Sequence, residues 1–340
     1  MREAGQNRPL VTVGITSYKR INELERCIRS IRTQYPDDIE ILVSEDKSPL
    51  EKEIGEKVNA LAAESEYEIR FTSNEKNLGY DMNLGAIIQK ARGEWIFYLS
   101  DDDGMTDGFL DLLIPFLKKG TEAGVVYAPF VYPGSGERHR ARGKEDFAIP
   151  AGEESAAKYI YDSILFSGLV FRKEYVKDFD ASRFKNHNYF QVYMFLQMLL
   201  KHGGTWFAAP SVNCFDDGEN AYGIAESSGG DAALANRKSV ISNLAFNKTL
   251  IKVIRMFDED EGTHVMDSFA KQYSLHSYSG LSKARKEGVK YFKEYWKTLN
   301  GLDIKLYPIT KAYYVILRVL GKDKADKLLS GAKKRLKGNG

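Results

Sequence analysis

From residue 10 to residue 103 the chain repeats one pattern, a short run rich in Val, Ile and Leu followed by a longer stretch with helical spacing. "LVTVGITSY" reads as a strand. "NELERCIRSIRTQ" follows as a helix, opened by Asn22 with Glu25 three residues on, a capping-box pattern with Asn in place of Ser or Thr. "IEILVSED" is the second strand, residues 49–65 the second helix, "YEIRFTSN" the third strand, residues 80–91 the third helix, and "EWIFYLSDDD" the fourth strand. Such an alternation implies a parallel sheet, because right-handed crossovers lay the helices over both faces. The carboxyl ends of the strands then share one edge, and ligands bind there beside the point where strand order reverses.

The sequence puts its polar groups at that edge. Thr16, Ser17, Tyr18 and Arg20 follow the first strand, Glu45 and Asp46 the second, Asn77 the third, and Asp101, Asp102 and Asp103 the fourth. Trp95 to Leu99 belong in a core, where an unpaired charge is expensive, so the carboxylates must sit where the strand emerges and need a positive partner. A strand order of 3-2-1-4 would set residues 16–20 beside them. Carboxylates so placed suit a hard divalent cation, Mg²⁺ or Mn²⁺, that keeps waters and substrate phosphates in its shell. The alternative is a solvated acidic turn capping a helix that starts near Asp107. "NLGYDMNLG" opens a helix whose N-terminal amides and Gly79 can approach a phosphate or ribose. "SEDKS" offers carboxylates to sugar hydroxyls or a base, although both segments are also common turn chemistry.

The pattern loosens after residue 120. "GVVYAPFVY" reads as a fifth strand and "GSGERHRARGKEDFAIPAGEE" as a polar loop. "ILFSGLVFRKEYV" is a strand with a short helix, "YFQVYMFLQMLLKHG" a buried helix ended by Gly203, and "TWFAAPSVNCF" another strand. The segment "VNCFDDGENAYGIAESSGG" is either a lid over the same edge or a surface loop. Past Asp231 the spacing is helical to the end, which divides the chain into 9–230 and 231–340.

With 340 residues, 28% of them charged, and a net charge of +2, this is a globular chain. No signal-like stretch or spanning segment of about 20 apolar residues occurs, so a cytoplasmic location is expected. Its two cysteines give neither zinc spacing nor a disulfide framework, and Cys27 shares an apolar face with Leu24, Ile28 and Ile31. No P-loop motif is present, and nothing points to nucleic acid. The charge is uneven: residues 305–340 hold ten Lys or Arg against Asp323 and Asp326, so that tail carries +8 and the rest −6. Leu328, Leu329, Ala332 and Leu336 give it an apolar face, as in helices that lie on anionic membranes. A helix packed on the protein is the other reading.

"VTVGITSYKRINELERCIRSIRTQ", "IEILVSEDKS", "NLGYDMNLGAIIQKARGEWIFYLSDDD" and "SGLVFRKEYV" together resemble the GT-A fold of the family 2 glycosyltransferases over residues 9–215. The stretch from "NLGYDMN" to "LSDDD" is most similar to the abequosyltransferase-like O-antigen subgroup. The resemblance implies a doubly wound mixed α/β sheet with a helical C-terminal extension. It also implies an inverting enzyme that uses a nucleotide-diphosphate sugar and Mn²⁺ or Mg²⁺, acting on a glycan or lipid-linked acceptor in surface polysaccharide synthesis. Thr16, Tyr18 and Arg20 match the family's first nucleotide-binding segment. Glu45 and Asp46 match its base and ribose carboxylates, with Glu45 in place of the usual Asp. Asn77, Asp81 and Asn83 match the segment under the nucleotide. Within the triplet, one register gives Asp101 to the ribose and Asp102 to the metal, and the other makes Asp103 a metal ligand.

The departure from the family concerns the base. Inverting transfer needs a group to take the acceptor hydroxyl's proton, which the family supplies as Asp or Glu after "FRKE". Here "ASRFKNHNYFQVYM" has no Glu-Asp pair. His187 is the nearest titratable group, of a residue type whose reference pKa of about 6.5 suits a base; Asp180 and Asp217 come next. An inactive nucleotide-sugar-binding partner of another transferase is therefore a second reading. A sugar-phosphate nucleotidyltransferase is a third, although "ITSYKRIN" has no glycine where that activity needs a Gly-rich loop.

Overall fold

The computed structural model describes residues 8–215 and 241–337. The chain divides into two compact units, Met1–Ala225 and Glu226–Gly340. In the first, strands β1 (Val11–Ser17), β2 (Ile39–Glu45), β3 (Glu68–Ser73) and β4 (Trp95–Ser100) alternate with helices α1 (Ile21–Ser30), α2 (Glu51–Glu64) and α3 (Tyr80–Lys90). The four strands are parallel and lie in the order β3-β2-β1-β4, with Gly14 paired to Leu42 on one side and Tyr98 on the other. β1, β2 and β4 are buried at every position, as central strands of a sheet covered on both faces must be. Val13, Ile15, Val43 and Phe97 share one core with Leu24 and Cys27 of α1 and Val58 of α2.

The unit continues with β5 (Gly104–Met105), α4 (Phe109–Lys118), β6 (Val125–Tyr127), β7 (Phe130–Tyr132), β8 (Glu137–His139), β9 (Phe147–Ile149) and α5 (Glu153–Tyr159). It closes with β10 (Leu169–Arg172), α6 (Lys173–Val176), α7 (Phe190–Lys201), β11 (Gly204–Trp206) and β12 (Val212–Asn213). β10 runs antiparallel between β4 and β6, so the large sheet is mixed, in the order β3-β2-β1-β4-β10-β6-β11-β9. A second sheet, β5-β12-β7-β8, stands beside it.

Several boundaries differ from those expected. The segment read as one fifth strand is two, β6 and β7, in different sheets, because Pro129 has no N–H to extend a ladder. Pro210 likewise divides β11 from β12. The polar segment after residue 133 contributes β8 and β9 instead of only a loop. Asn22 lies inside α1; Arg20 holds the cap position with an extended φ of −115° and makes no side-chain cap bond, since its guanidinium is engaged elsewhere. α1 stops at Ser30, and Asp111 instead takes the Thr33 hydroxyl (2.6 Å) and the Gln34 N–H (2.9 Å).

The second unit is helical among its described residues, with α8 (Ser242–Glu261), α9 (Val265–Lys286), α10 (Val289–Asn300) and α11 (Pro308–Lys337). Asp258 of α8 accepts the N–H groups of Val265 and Met266 (both 2.9 Å) and so starts α9. α11 stacks Tyr314 on Trp296 (4.1 Å) and bends at Gly321, where φ is +71°. No helix of the described residues is long and apolar enough to cross a membrane.

At the amino edge of the parallel strands, Glu40 is fully buried. It accepts from Thr12 Oγ1 (2.6 Å), the Arg92 N–H (2.6 Å), Arg92 Nε (2.8 Å) and Arg70 Nη1 (2.8 Å). Burial pushes its pKa up, but these donors outweigh that and hold it below the usual glutamate value. The contribution is thus present above the unfolded pKa and fades as pH falls through the folded one. Glu40→Ala should lower stability to urea by about 3 kcal/mol, the lower end for a broken buried pair because Arg92 is partly exposed. Ligand binding at the opposite edge should be unchanged.

Candidate active site

The acidic triplet is not a solvated turn. Asp101 is 2% exposed; its Oδ1 accepts from Arg20 Nη1 (2.7 Å) and its Oδ2 from the Tyr18 N–H (3.1 Å). Lys19, at φ +65°, makes the left-handed turn between those two donors. Asp103 is 5% exposed and turns toward Ser167, Cys214 and the Phe215 N–H, on the β10 and β12 side. Burial pushes both carboxyls up to about 7, with Arg20 opposing that rise at Asp101 and the Ser167 and Cys214 bonds opposing it at Asp103. Asp102 differs, with a side chain 23% exposed. It accepts from Ser100 Oγ (2.5 Å) and lies 3.0 Å from Arg20 Nη1, while its carbonyl takes Arg26 Nη2 (2.8 Å).

The ends of β2 and β3 close the other side of this edge. The Asp46 N–H donates to the Ser17 carbonyl (3.0 Å). The Asp46 carboxylate accepts from Asn74 Nδ2 (3.0 Å) and from the Leu78 and Gly79 N–H groups (both 2.8 Å). Glu45 is fully buried, pushed up by that burial, and accepts the Ser48 N–H (2.9 Å). Asn83 is enclosed between Ser44 and Asn74, and Asn77 accepts the Gly79 N–H (3.1 Å). Gly79 has φ +81°, and an added Cβ would meet nothing within 4 Å, so backbone there faces open space at the N-terminus of α3. Thr16 Oγ1, also buried at this edge, has no hydrogen-bond partner among the described residues.

The three candidate bases are placed differently. Asp180 is exposed and caps the turn Ala181–Phe184 through the Ser182 N–H (2.9 Å), a bond that lowers its pKa. It lies beside the middle of α3, because Ala181 packs where a Cβ on Gly85 would be only 2.5 Å away. His187 is half-buried, with Nδ1 3.1 Å from the Lys185 carbonyl. Its N–H reaches Asp81 Oδ2 (3.1 Å). The Asp81 carboxylate, pushed up to about 6 by burial, is turned toward residues 187–190. Asp217, with most of the segment read as a lid, lies outside the described residues.

The edge thus brings together Thr16, Tyr18, Arg20, Glu45, Asp46, Asn77 and the triplet, with Asp81 and His187 bonded beside them. Sequence reading passed over Ser100, Arg26, Asn74 and Ser167, which orient these groups. Ser100 and Asn74 stand at strand ends and could have been found by position; Ser167 and Arg26 carry no local signal. Among the described residues no group of three or more His, Cys, Asp or Glu is arranged to hold a metal ion. The donor set fits a cation that takes one protein carboxylate, Asp102, and fills its shell with water and substrate phosphates.

Residues 12–184, half of the chain, match Glycosyl transferase family 2. The chain belongs to that family. Membership supports glycosyl transfer as the activity of this family 2 protein. Its fold is similar to that of TarS 1–349 from S. aureus, solved in complex with UDP, at 13% identity and TM-score 0.53 over 80% of this chain and 74% of that one. The same protein in complex with UDP-GlcNAc gives 12% and 0.53 over 80% and 75%. The mannosyltransferase PcManGT from Pyrobaculum calidifontis, in complex with GDP-Man and Mn²⁺, gives 15% and 0.52 over 93% and 88%. At such identities the likeness is one of fold. No curated protein sequence matches the chain significantly.

In this family 2 domain Arg20 supplies the counter-charge to Asp101. Without it Asp101 would protonate more readily, so the carboxyl's folded pKa would rise further from its unfolded value near 4. A raised pKa favours the folded state at low pH and loses that advantage as pH increases. Arg20→Gln should therefore destabilise the protein by about 3 kcal/mol at pH 8 and by clearly less at pH 5, measured by urea unfolding at each pH. An equal loss at both would mean that the pair contributes through packing alone.

Proposed function

We propose that this family 2 protein is an inverting, metal-dependent transferase. It moves a sugar from a nucleotide-diphosphate sugar to a glycan or lipid-linked acceptor in surface polysaccharide synthesis. The observation that carries the reading is the joint geometry of the carboxyl edge. Arg20 bridges Asp101 and Asp102 there, and Asp46 holds Gly79 and the start of α3 open to solvent. The donor class is taken from the relatives of like fold, which hold UDP, UDP-GlcNAc and GDP-Man. The narrower likeness to abequosyltransferase-like enzymes rests on the stretch from "NLGYDMN" to "LSDDD" alone.

In this reading the N-terminal amides of α3 face the donor's phosphates, where the helix dipole favours negative charge. Thr16, Tyr18, Glu45, Asp46 and Asn77 border the nucleoside. Asp102 would hold Mn²⁺ or Mg²⁺, which supplies positive charge against the departing diphosphate. The acceptor oxygen bonds to the anomeric carbon as the bond from that carbon to the diphosphate breaks, and His187 takes the hydroxyl proton. A carbonyl can only accept, so the Nδ1 contact with Lys185 places the imidazole proton on Nδ1 and leaves the Nε2 lone pair free for that task. Asp180, exposed and capping its own turn, is the weaker candidate.

A thermal-shift panel of UDP, GDP, CDP and dTDP with and without Mn²⁺ tests this directly, since a ligand of the folded state raises apparent stability by RT ln(1 + [L]/Kd). One nucleotide should raise Tm, and more so with Mn²⁺. Asp102→Asn should keep the fold but lose the Mn²⁺ increment and turnover. Full turnover in excess EDTA would sink metal dependence. Nucleotide binding without transfer or donor hydrolysis across a broad panel would favour the inactive partner.

A lipid-linked acceptor would place the protein at the inner face of a membrane, and α11 suits that position. Ala312, Val315 and Val319 share one outward stripe, Val319 being 74% exposed, flanked by Lys311, Arg318 and Lys322. Apolar residues bordered by cations fit an anionic bilayer surface. Removing the whole tail would uncover Trp296, on which Tyr314 stacks, so a point change is the better test. Val319→Glu should leave Tm unchanged and reduce association with phosphatidylglycerol-containing liposomes at low salt. If the intact chain ignores such liposomes at low salt, this part of the reading is wrong.

A further inference from the structure

We propose that Asp81 is a positioning residue: it fastens residues 187–190, and with them the imidazole of His187, to the first turn of α3. The inference rests on the reading of His187 as the base, and it extends that reading to a side chain whose carboxylate is bonded to the backbone of residues 187–190.

Asp81 is 1% exposed, and three backbone N–H groups more than a hundred residues away point at it. Oδ2 accepts from His187 (3.1 Å) and Asn188 (2.8 Å), and Oδ1 from Phe190 (3.0 Å). Phe190 opens α7, whose cap residue Tyr189 makes no side-chain cap bond, so α3 provides the N-terminal acceptor that α7 lacks.

The segment so held turns left-handed twice. Asn186 and Asn188, on either side of His187, have φ of +66° and +62°, a region that Asn tolerates better than other non-glycine residues. The His187 N–H is also shared with the Phe184 carbonyl (2.9 Å), and its ring with the Lys185 carbonyl. Among the described residues, the hydrogen bonds that orient the histidine therefore run within a short loop anchored by the Asp81 carboxylate.

The other end of the mount is Asp46. Its carboxylate holds Leu78 and Gly79, immediately before α3, and Asp81 holds the base segment two residues later. The donor loop and the proton acceptor thus hang from the same helical turn. A carboxylate suits the task because it only accepts; an amide in its place would turn an NH₂ group toward an N–H donor. Misplacing a reacting group by about 1 Å can lower rate about 10²-fold.

The test is Asp81→Asn on the full chain, read in two independent ways. Hydrogen exchange should show lost protection at 187–190, with β1 and β4 still protected and nucleotide affinity within about twofold of wild type. In sugar transfer, kcat should fall roughly 10- to 100-fold with donor KM unchanged. Asp81→Asn should add nothing to the loss already caused by His187→Ala, because one acts through the other. Unchanged protection at 187–190 overturns the proposal, and so does a loss that multiplies with that of His187→Ala. If the wild type transfers no sugar, the proposed function has failed, and the exchange measurement still decides the fastening by itself. Should Asp81→Asn not fold, Asn188→Ala leaves the carboxylate in place and disfavours the left-handed turn. It must then raise exchange at 187–190 and lower kcat with donor KM unchanged, and wild-type protection and kcat would count against the proposal.

Discussion

A carboxylate as deeply enclosed as Asp101 cannot persist in a fold without hydrogen bonds and a nearby cation. It obtains both from the residues that directly follow β1: the Tyr18 N–H and the Arg20 guanidinium. This requires β1 and β4 to be parallel neighbours ending at the same level, which is how they pair. β2 and β3 then extend the sheet on one side and β10 on the other. At the far edge Glu40 does a similar service, collecting Thr12 from β1, Arg70 from β3 and Arg92 from the turn before β4. The parallel core is thus held at both edges by a buried acid, and the apolar strands between need only pack.

Acidic side chains recur through the unit as fasteners of backbone. Asp46 holds 78–79, Asp81 holds 187–190, Asp180 holds Ser182 and Asp111 holds Gln34. A carboxylate presents several lone pairs and no proton, so one side chain can satisfy two or three N–H groups that loop geometry leaves without partners. An edge rich in acids therefore overstates how many face a ligand. The Asp46, Asp81, Asp101 and Asp103 carboxylates are bound within the protein, and Asp102 is the member of the triplet with appreciable exposure.

The first hundred residues were legible because periodicity and local chemistry agree there. β-branched runs became β1 to β4, the strands took the 3-2-1-4 order that sets residues 16–20 beside the triplet, and Gly203, at φ +67°, ended α7 as expected. Legibility failed where a single residue outweighed the pattern. Pro129 and Pro210 each broke an apolar run that reads as one strand, and Arg20 displaced Asn22 from the cap of α1. It failed again where burial was decided at long range. Asp103 is enclosed by Ser167 and Cys214, and no window around residue 103 contains them. The partners of Asp81 likewise lie beyond residue 186, outside any window around "NLGYDMN".

The two buried carboxylates explain why the triplet has three members. Asp101 ties the end of β4 to β1, and Asp103 ties the chain two residues later to the strands arriving from the other half of the domain. Between two such anchors the backbone of Asp102 has little freedom, and Arg26 on its carbonyl and Ser100 on its carboxylate reduce what remains. A ligand group held this way needs no reordering when a cation and a diphosphate arrive, which is the condition under which fixed charges stabilise charge that develops during reaction. On this account the outer pair are not spare ligands: the hydrogen bonds that hold their buried carboxylates keep the middle one in place.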